Sequence, residues 1–182
     1  MNDRQKLKDD TYLKVANNIS QLSKDKNTKI GAIIVGEDGT PVSWGYNGTV
    51  QGFNDALIPH DREKKELGYI ENGETITFTE NKYPFMEHAE RNALDFADPS
   101  KLKGSTLYVT APPCVDCALR IAKRKISRVV IDDAYMKDSN SSIGAGFEKS
   151  KFIFTEANID LYIGNNKIKL ERISNESNSI FN

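Results

Sequence analysis

Two short segments hold the side chains best able to do chemistry: His88-Ala89-Glu90 and Pro113-Cys114-Val115-Asp116-Cys117. Zinc takes thiolate sulfur and imidazole nitrogen, in a tetrahedron. Two cysteines separated by two residues at the start of a helix can point both sulfurs at one centre, where the positive end of the helix dipole favours thiolates. With His88, that makes three ligands and leaves a fourth position for water. The chain has only two cysteines and two histidines. The other histidine, His60, lies in a polar stretch and reads as a surface residue. A divalent cation with two thiolates and a neutral imidazole carries about zero net charge. It is then a mild Lewis acid and needs a base to take a proton from water. Glu90, two residues after His88 and not itself a ligand, is placed for that. Two other readings stay open. A Cys-x-x-Cys pair also suits thiol exchange, which leaves His88 and Glu90 unexplained. A closed zinc module on nucleic acid makes Glu90 dispensable.

These residues need a scaffold that brings positions 88, 114 and 117 together. Apolar residues at Leu13, Val15, Ala16, Ile19 and Leu22 predict a helix from about Asp10 to Ser23, with Asp9, Asp10 or Thr11 as cap. Ile30–Val35 and Val42–Tyr46 read as strands joined by turn residues 37–39. Residues 49–84 read as a long polar, irregular insertion with a short helix near Arg62–Leu67. A helix is expected from Glu87 or His88 to about Ala97, stopped by Asp98-Pro99. Then follow a strand (Ser105–Thr110), a helix (Val115–Arg124), a strand (Arg128–Ile131), a helix (Phe147–Ala157) and a strand (Ile159–Ile163). This alternation predicts a three-layer α/β/α sandwich around a mixed sheet of about five strands. The helices opening at His88 and near Cys114 should lie side by side. The whole chain, 1–182, reads as one domain, with its core at about 11–163 and a flexible tail at 172–182.

Composition narrows the function classes. Of 182 residues, 38% are apolar and 28% charged, which fits a globular, soluble protein. No apolar run reaches the roughly 20 residues of a membrane helix, and the polar N-terminus does not read as a signal peptide. A formal net charge of -1 favours a small substrate over a long nucleic acid. The run Arg120, Lys123, Arg124, Lys125, Arg128 reads as a solvated basic face. Few cysteines at close spacing point to a reducing, cytoplasmic location.

Together and in this order, the two segments form the pattern of zinc-dependent nucleobase deaminases, His-x-Glu and then Pro-Cys-x-x-Cys. The chain resembles the cytidine deaminase superfamily and, within it, the deoxycytidylate (dCMP) deaminases. The matching pieces are SKD at 23–25, IGAIIV at 30–35, GYNG at 45–48, KYPF at 82–85, HAERNA at 88–93, LYVTAPPCVDCA at 107–118, and Asp133 with Tyr135. They span roughly Thr11 to Ile163. The resemblance implies hydrolysis of dCMP to dUMP and ammonia with one zinc per subunit. The alternatives are dCTP, a C5-modified dCMP or another cytosine nucleotide or nucleoside; a tRNA adenosine deaminase fits less well. It further implies that Asn47 contacts the sugar, that the Ala89 N–H meets the base, and that Lys29 and Tyr135 stand near the 5′-phosphate. Asn47 is otherwise a turn residue before Gly48, and Lys29 a solvated flanking charge. Phe85 either packs in the core or walls the base pocket. The resemblance also implies a homo-oligomer, with a hexamer favoured, and a dCTP/dTTP effector loop at Gly48, Gly52 and Asp55. Val50 stands in that loop where the family usually has proline.

Overall fold

In a computed structural model, residues 2–136 and 144–173 are described. The chain opens with helix α1 (Asp3–Ser20), followed by the antiparallel strands β1 (Gly31–Val35) and β2 (Pro41–Tyr46). Strand β7 (Thr106–Val109) pairs antiparallel with β1 and parallel with β8 (Arg128–Ile131), which pairs parallel with β9 (Asp160–Ile163). A short β10 (Asn166–Ile168) closes the row β10-β9-β8-β7-β1-β2. The mixed sheet therefore has six strands, one more than the alternating pattern led us to expect.

Side chains alternate across this sheet, as the two-residue strand period requires. Ala32, Ile34, Leu107, Val109, Val129, Ile131 and Leu161 face one way. They bury helices α2 (Ala89–Asp95), α3 (Val115–Lys123) and α5 (Gly144–Glu156). Ile33, Val35, Tyr108 and Val130 face the other way and bury Leu13 and Ala16 of α1. This is the expected three-layer sandwich. A one-turn helix, α4 (Asp133–Met136), follows β8. Two glycines permit the close layering. A Cβ on Gly31 would lie 1.9 Å from the Ala16 carbonyl oxygen, and one on Gly45 would lie 2.5 Å from those of Ala89.

Three expectations are corrected. Helix α1 starts two turns before Asp10, capped by Asn2, whose side chain accepts from the Gln5 N–H at 2.8 Å. The extra turns are anchored by Asp9, fully buried on the sheet. Arg128 does not belong to a solvated basic face. It donates to Asp9 at 2.7 and 2.5 Å and lies over the Tyr162 ring at 4.0 Å. The 49–84 segment is not irregular with a helix at 62–67. It contains the hairpin β4 (Lys65–Glu71) and β5 (Glu74–Glu80). Its turn is Asn72-Gly73, both at positive φ (50° and 87°), the geometry that Asn-Gly favours in a two-residue hairpin. Of the predicted tail, 174–182 lies outside the described residues.

Candidate metal centre

Both chemical motifs begin helices. His88 is the N-cap residue of α2 and Cys114 that of α3. The two helices pack on the same sheet face through Ala89, Ala93, Ala118 and Ile121, so their first turns meet. Strand β7 delivers α3 after the short connection 110–114. The two-residue strand β6 (Met86–Glu87) delivers α2 and pairs with β3 (Gly48–Thr49). Through this ladder the GYNG segment touches the approach to His88. The Asn92 side chain adds a hydrogen bond to the Tyr46 carbonyl at 2.8 Å.

The donor atoms converge. His88 Nδ1 lies 3.5 Å from Cys114 Sγ and 3.4 Å from Cys117 Sγ. In a tetrahedral site with Zn–S of about 2.3 Å and Zn–N of about 2.0–2.1 Å, neighbouring nitrogen and sulfur ligands stand about 3.6 Å apart. The three side chains therefore fit zinc, with Nδ1 as the imidazole donor. Among the described residues, they are the one group of three or more His, Cys, Asp or Glu close enough to share an ion. A hydrogen bond from the Cys117 thiol lowers the Cys114 thiol below its ordinary range, and that bond together with burial pushes Cys117 up. A cation bound by both sulfurs displaces whatever thiol protons remain.

Glu90 is 3% exposed. Its carboxyl is pushed above the usual range, mainly by burial. It contacts the Cys117 thiol and feels the charges of His88 and Cys114. Ala89, also buried, is the first residue of α2, where the backbone N–H has no acceptor within the helix. Phe85 is half-buried at the end of a 3₁₀ turn (Tyr83–Phe85) leading to β6.

Asn47 sits in a buried polar knot beside this end of the sheet. Its Nδ2 donates to the Thr28 carbonyl at 2.9 Å and to Asp25 at 3.4 Å; its Oδ1 accepts from the Ile30 N–H at 2.8 Å. Ser23 Oγ donates to the Asn47 carbonyl at 2.7 Å. The knot centres on Asp25, which receives the Lys82 ammonium at 2.6 and 2.7 Å. Both side chains are 5% exposed. Burial pushes the Asp25 carboxyl up, but Lys82 and the N–H groups of Thr28 and Asn27 outweigh it and hold it below the usual carboxylate range. Sequence reasoning gave Lys82 no role.

The remaining candidates lie outside the cluster. Lys29 is exposed, its ammonium 3.4 Å from the Gln21 carbonyl oxygen. Tyr135 is half-buried on α4. Gly48 is in β3, and Gly52 is exposed at φ 94°. Asp55 pairs with Lys24 and accepts from Thr49 Oγ1 at 3.0 Å, so the loop after β3 is tied to the segment after α1. Arg91 was also missed. It reaches Glu87, Asp116 and the Met86 carbonyl. Its i,i+4 spacing from Glu87 was the one visible signal.

Fold and centre together define a three-layer α/β protein with a three-ligand zinc site and a buried carboxyl beside it. Residues 6–133 match the family model of the cytidine and deoxycytidylate deaminase zinc-binding region, and the chain belongs to that family. It is 31% identical to human deoxycytidylate deaminase over 134 residues, covering 74% of this chain and 69% of the human protein. It is 33% identical to deoxycytidylate deaminase of enterobacteria phage T2 over 157 residues, covering 72% of this chain and 83% of the phage protein. Among solved structures it is similar to the dCMP deaminase of cyanophage S-TIM5 in complex with dCMP and dUMP. That match has a TM-score of 0.61 and 28% identity, covering 90% of this chain and 98% of the other.

Proposed function

We propose that this chain hydrolyses dCMP to dUMP and ammonia. The observation that carries this reading is the convergence of His88 Nδ1, Cys114 Sγ and Cys117 Sγ beside buried Glu90, in a member of a deaminase family. When bound, zinc supplies a Lewis acid that makes water a nucleophile near neutral pH. His88, Cys114 and Cys117 hold it. Glu90 takes a proton from the attacking water and donates one to ring N3 as C4 becomes tetrahedral. It then moves a proton to the amino group that leaves as ammonia. A carboxyl raised by burial suits this exchange, because it holds a proton more readily than an exposed one while it still accepts and returns it.

The surrounding residues take supporting roles in the same reading. The Ala89 N–H faces the base, and Phe85 walls it. Both amide hydrogens of Asn47 are engaged, so only its Oδ1 has a lone pair to spare. Asn47 therefore accepts from a sugar hydroxyl and does not donate. Lys29 and Tyr135 serve the 5′-phosphate. Residues 1–182 act as one domain, with 49–84 as its insertion. The enzyme works as a homo-oligomer in the cytoplasm. A dCTP or dTTP effector binds at the loop of Gly48, Gly52 and Asp55, where Asp55 is already paired with Lys24. Among the described residues no helix is long and apolar enough to cross a membrane.

Ammonia release tests the reading. Zinc-loaded protein is given dCMP, dCTP, cytidine and 5-substituted dCMP, each with and without dCTP or dTTP as effector. The dCMP reaction should be the fastest. Stoichiometric zinc without dCMP turnover, or turnover confined to another substrate, overturns it.

A further inference from the structure

Arg91 occupies the seam between the two halves of the zinc cluster. It is the third residue of α2, where a cation faces the positive end of the helix dipole, an unfavourable place. Its side chain is only 18% exposed, so specific partners must offset that placement. Nη2 donates to the Met86 carbonyl at 3.2 Å, Nε lies 2.9 Å from Glu87 Oε2, and Nη1 donates to Asp116 Oδ2 at 3.2 Å. Met86 and Glu87 are the two residues that deliver His88. Asp116 stands between the two cysteines in the first turn of α3, and its carboxylate also lies 3.4 Å from Arg120. One guanidinium therefore spans from the strand that presents the imidazole to the turn that presents both sulfurs. The three donors come from segments more than twenty residues apart in sequence, so local geometry alone does not fix their separation.

We propose that Arg91 is a positioning residue for the zinc centre, holding the Cys114–Cys117 turn at bonding distance from His88 through Asp116. The planar fork donates to the Met86 carbonyl and to Asp116 from separate nitrogens, with the Glu87 carboxylate beside Nε as an ion pair only, and the compact ammonium of lysine does not reproduce that span. The inference rests on the zinc reading above, and its test separates the two.

Zinc dissociation constants would be measured by competition with a chromophoric chelator on the 182-residue chain. Wild type is compared with Arg91→Gln, Arg91→Lys, Asp116→Asn and the Arg91→Gln/Asp116→Asn double variant, with His88→Ala as the control. Loss of a group that orients ligands weakens metal binding about 10–100-fold, and that is expected for Arg91→Gln. Asp116→Asn should weaken it about two- to fivefold, as for a half-exposed ion pair. Arg91→Lys should fall between wild type and Arg91→Gln. The double variant should be no weaker than Arg91→Gln, because both changes break one contact. Equal zinc affinity in wild type and Arg91→Gln, or additive losses in the double variant, overturns the proposal. If Arg91→Gln does not fold, Asp116→Asn decides, and an unchanged zinc constant there overturns it. A wild type that binds no zinc, or binds it as tightly as His88→Ala does, overturns the zinc reading as well.

Discussion

The zinc cluster and the Asp25 knot are both built from side chains gathered out of distant segments, yet they differ in what their polar atoms have left over. In the knot, Lys82 donates to both Asp25 oxygens and to Asn27, and Asn47 donates twice and accepts once. Almost every donor has a protein partner. In the cluster, three metal-type donor atoms face one another around a common point, and a carboxyl raised by burial lies beside them. A buried polar group satisfied within the protein is a brace, whereas donor atoms that converge on one point suit a metal ion. The cluster is thus the place suited to chemistry, and the knot braces the segments 23–30, 47 and 82.

Breaking each region should give different symptoms. The largest effect is expected at the cluster. Cys117→Ser should lose stoichiometric zinc and lower dCMP turnover by at least about a thousandfold, with melting temperature and zinc content measured on one sample. Asp25→Asn should act through the fold. It leaves the Lys82 ammonium buried without its counter-charge, which costs about 3–5 kcal/mol in denaturant unfolding. Protein that still folds should keep its zinc and show a higher KM for dCMP, with a smaller change in kcat.

Smaller effects separate the regions by pH. In Asp9, burial raises the carboxyl, but Arg128, Gln5 and Tyr108 outweigh it and hold it below the usual range, as Lys82 does for Asp25. Below about pH 4 the unfolded carboxyls take up protons before the folded ones do. Both pairs thus stabilise fully above that pH and lose their contribution as pH falls through the folded pKa values. Asp9→Asn should flatten the acid limb of a stability–pH curve, with lower stability throughout the neutral range. Glu90 has the opposite sign. Its raised carboxyl makes the fold less stable as pH rises above the unfolded value of about 4.3. In zinc-free protein, Glu90→Gln should then raise the melting temperature near neutral pH, read by calorimetry.

Legibility in the sequence followed the same division. His88, Glu90, Cys114 and Cys117 were readable because few residue types ligate zinc and the spacing around a helix start is restrictive. The five inner and flanking strands were readable from their apolar runs. The braces were not. Lys82 drew no role and Arg128 read as solvated, because such side chains are almost never buried unless paired, and their partners Asp25 and Asp9 lie 57 and 119 residues away. Asp9 likewise hid the first two turns of α1. The hairpin did carry a local signal, Asn72-Gly73 between alternating Thr, Ile and Phe, but the surrounding charges and glycines outweighed it in a reading based on polarity.

The central claim is that Glu90 moves the protons at a zinc site made by His88, Cys114 and Cys117. Zinc content and dCMP turnover of Glu90→Gln, measured on the same preparation, test it most directly. The expected result is one zinc per chain with turnover lower by about 10²–10⁴-fold. A zinc-loaded Glu90→Gln protein that deaminates dCMP at the wild-type rate would contradict it.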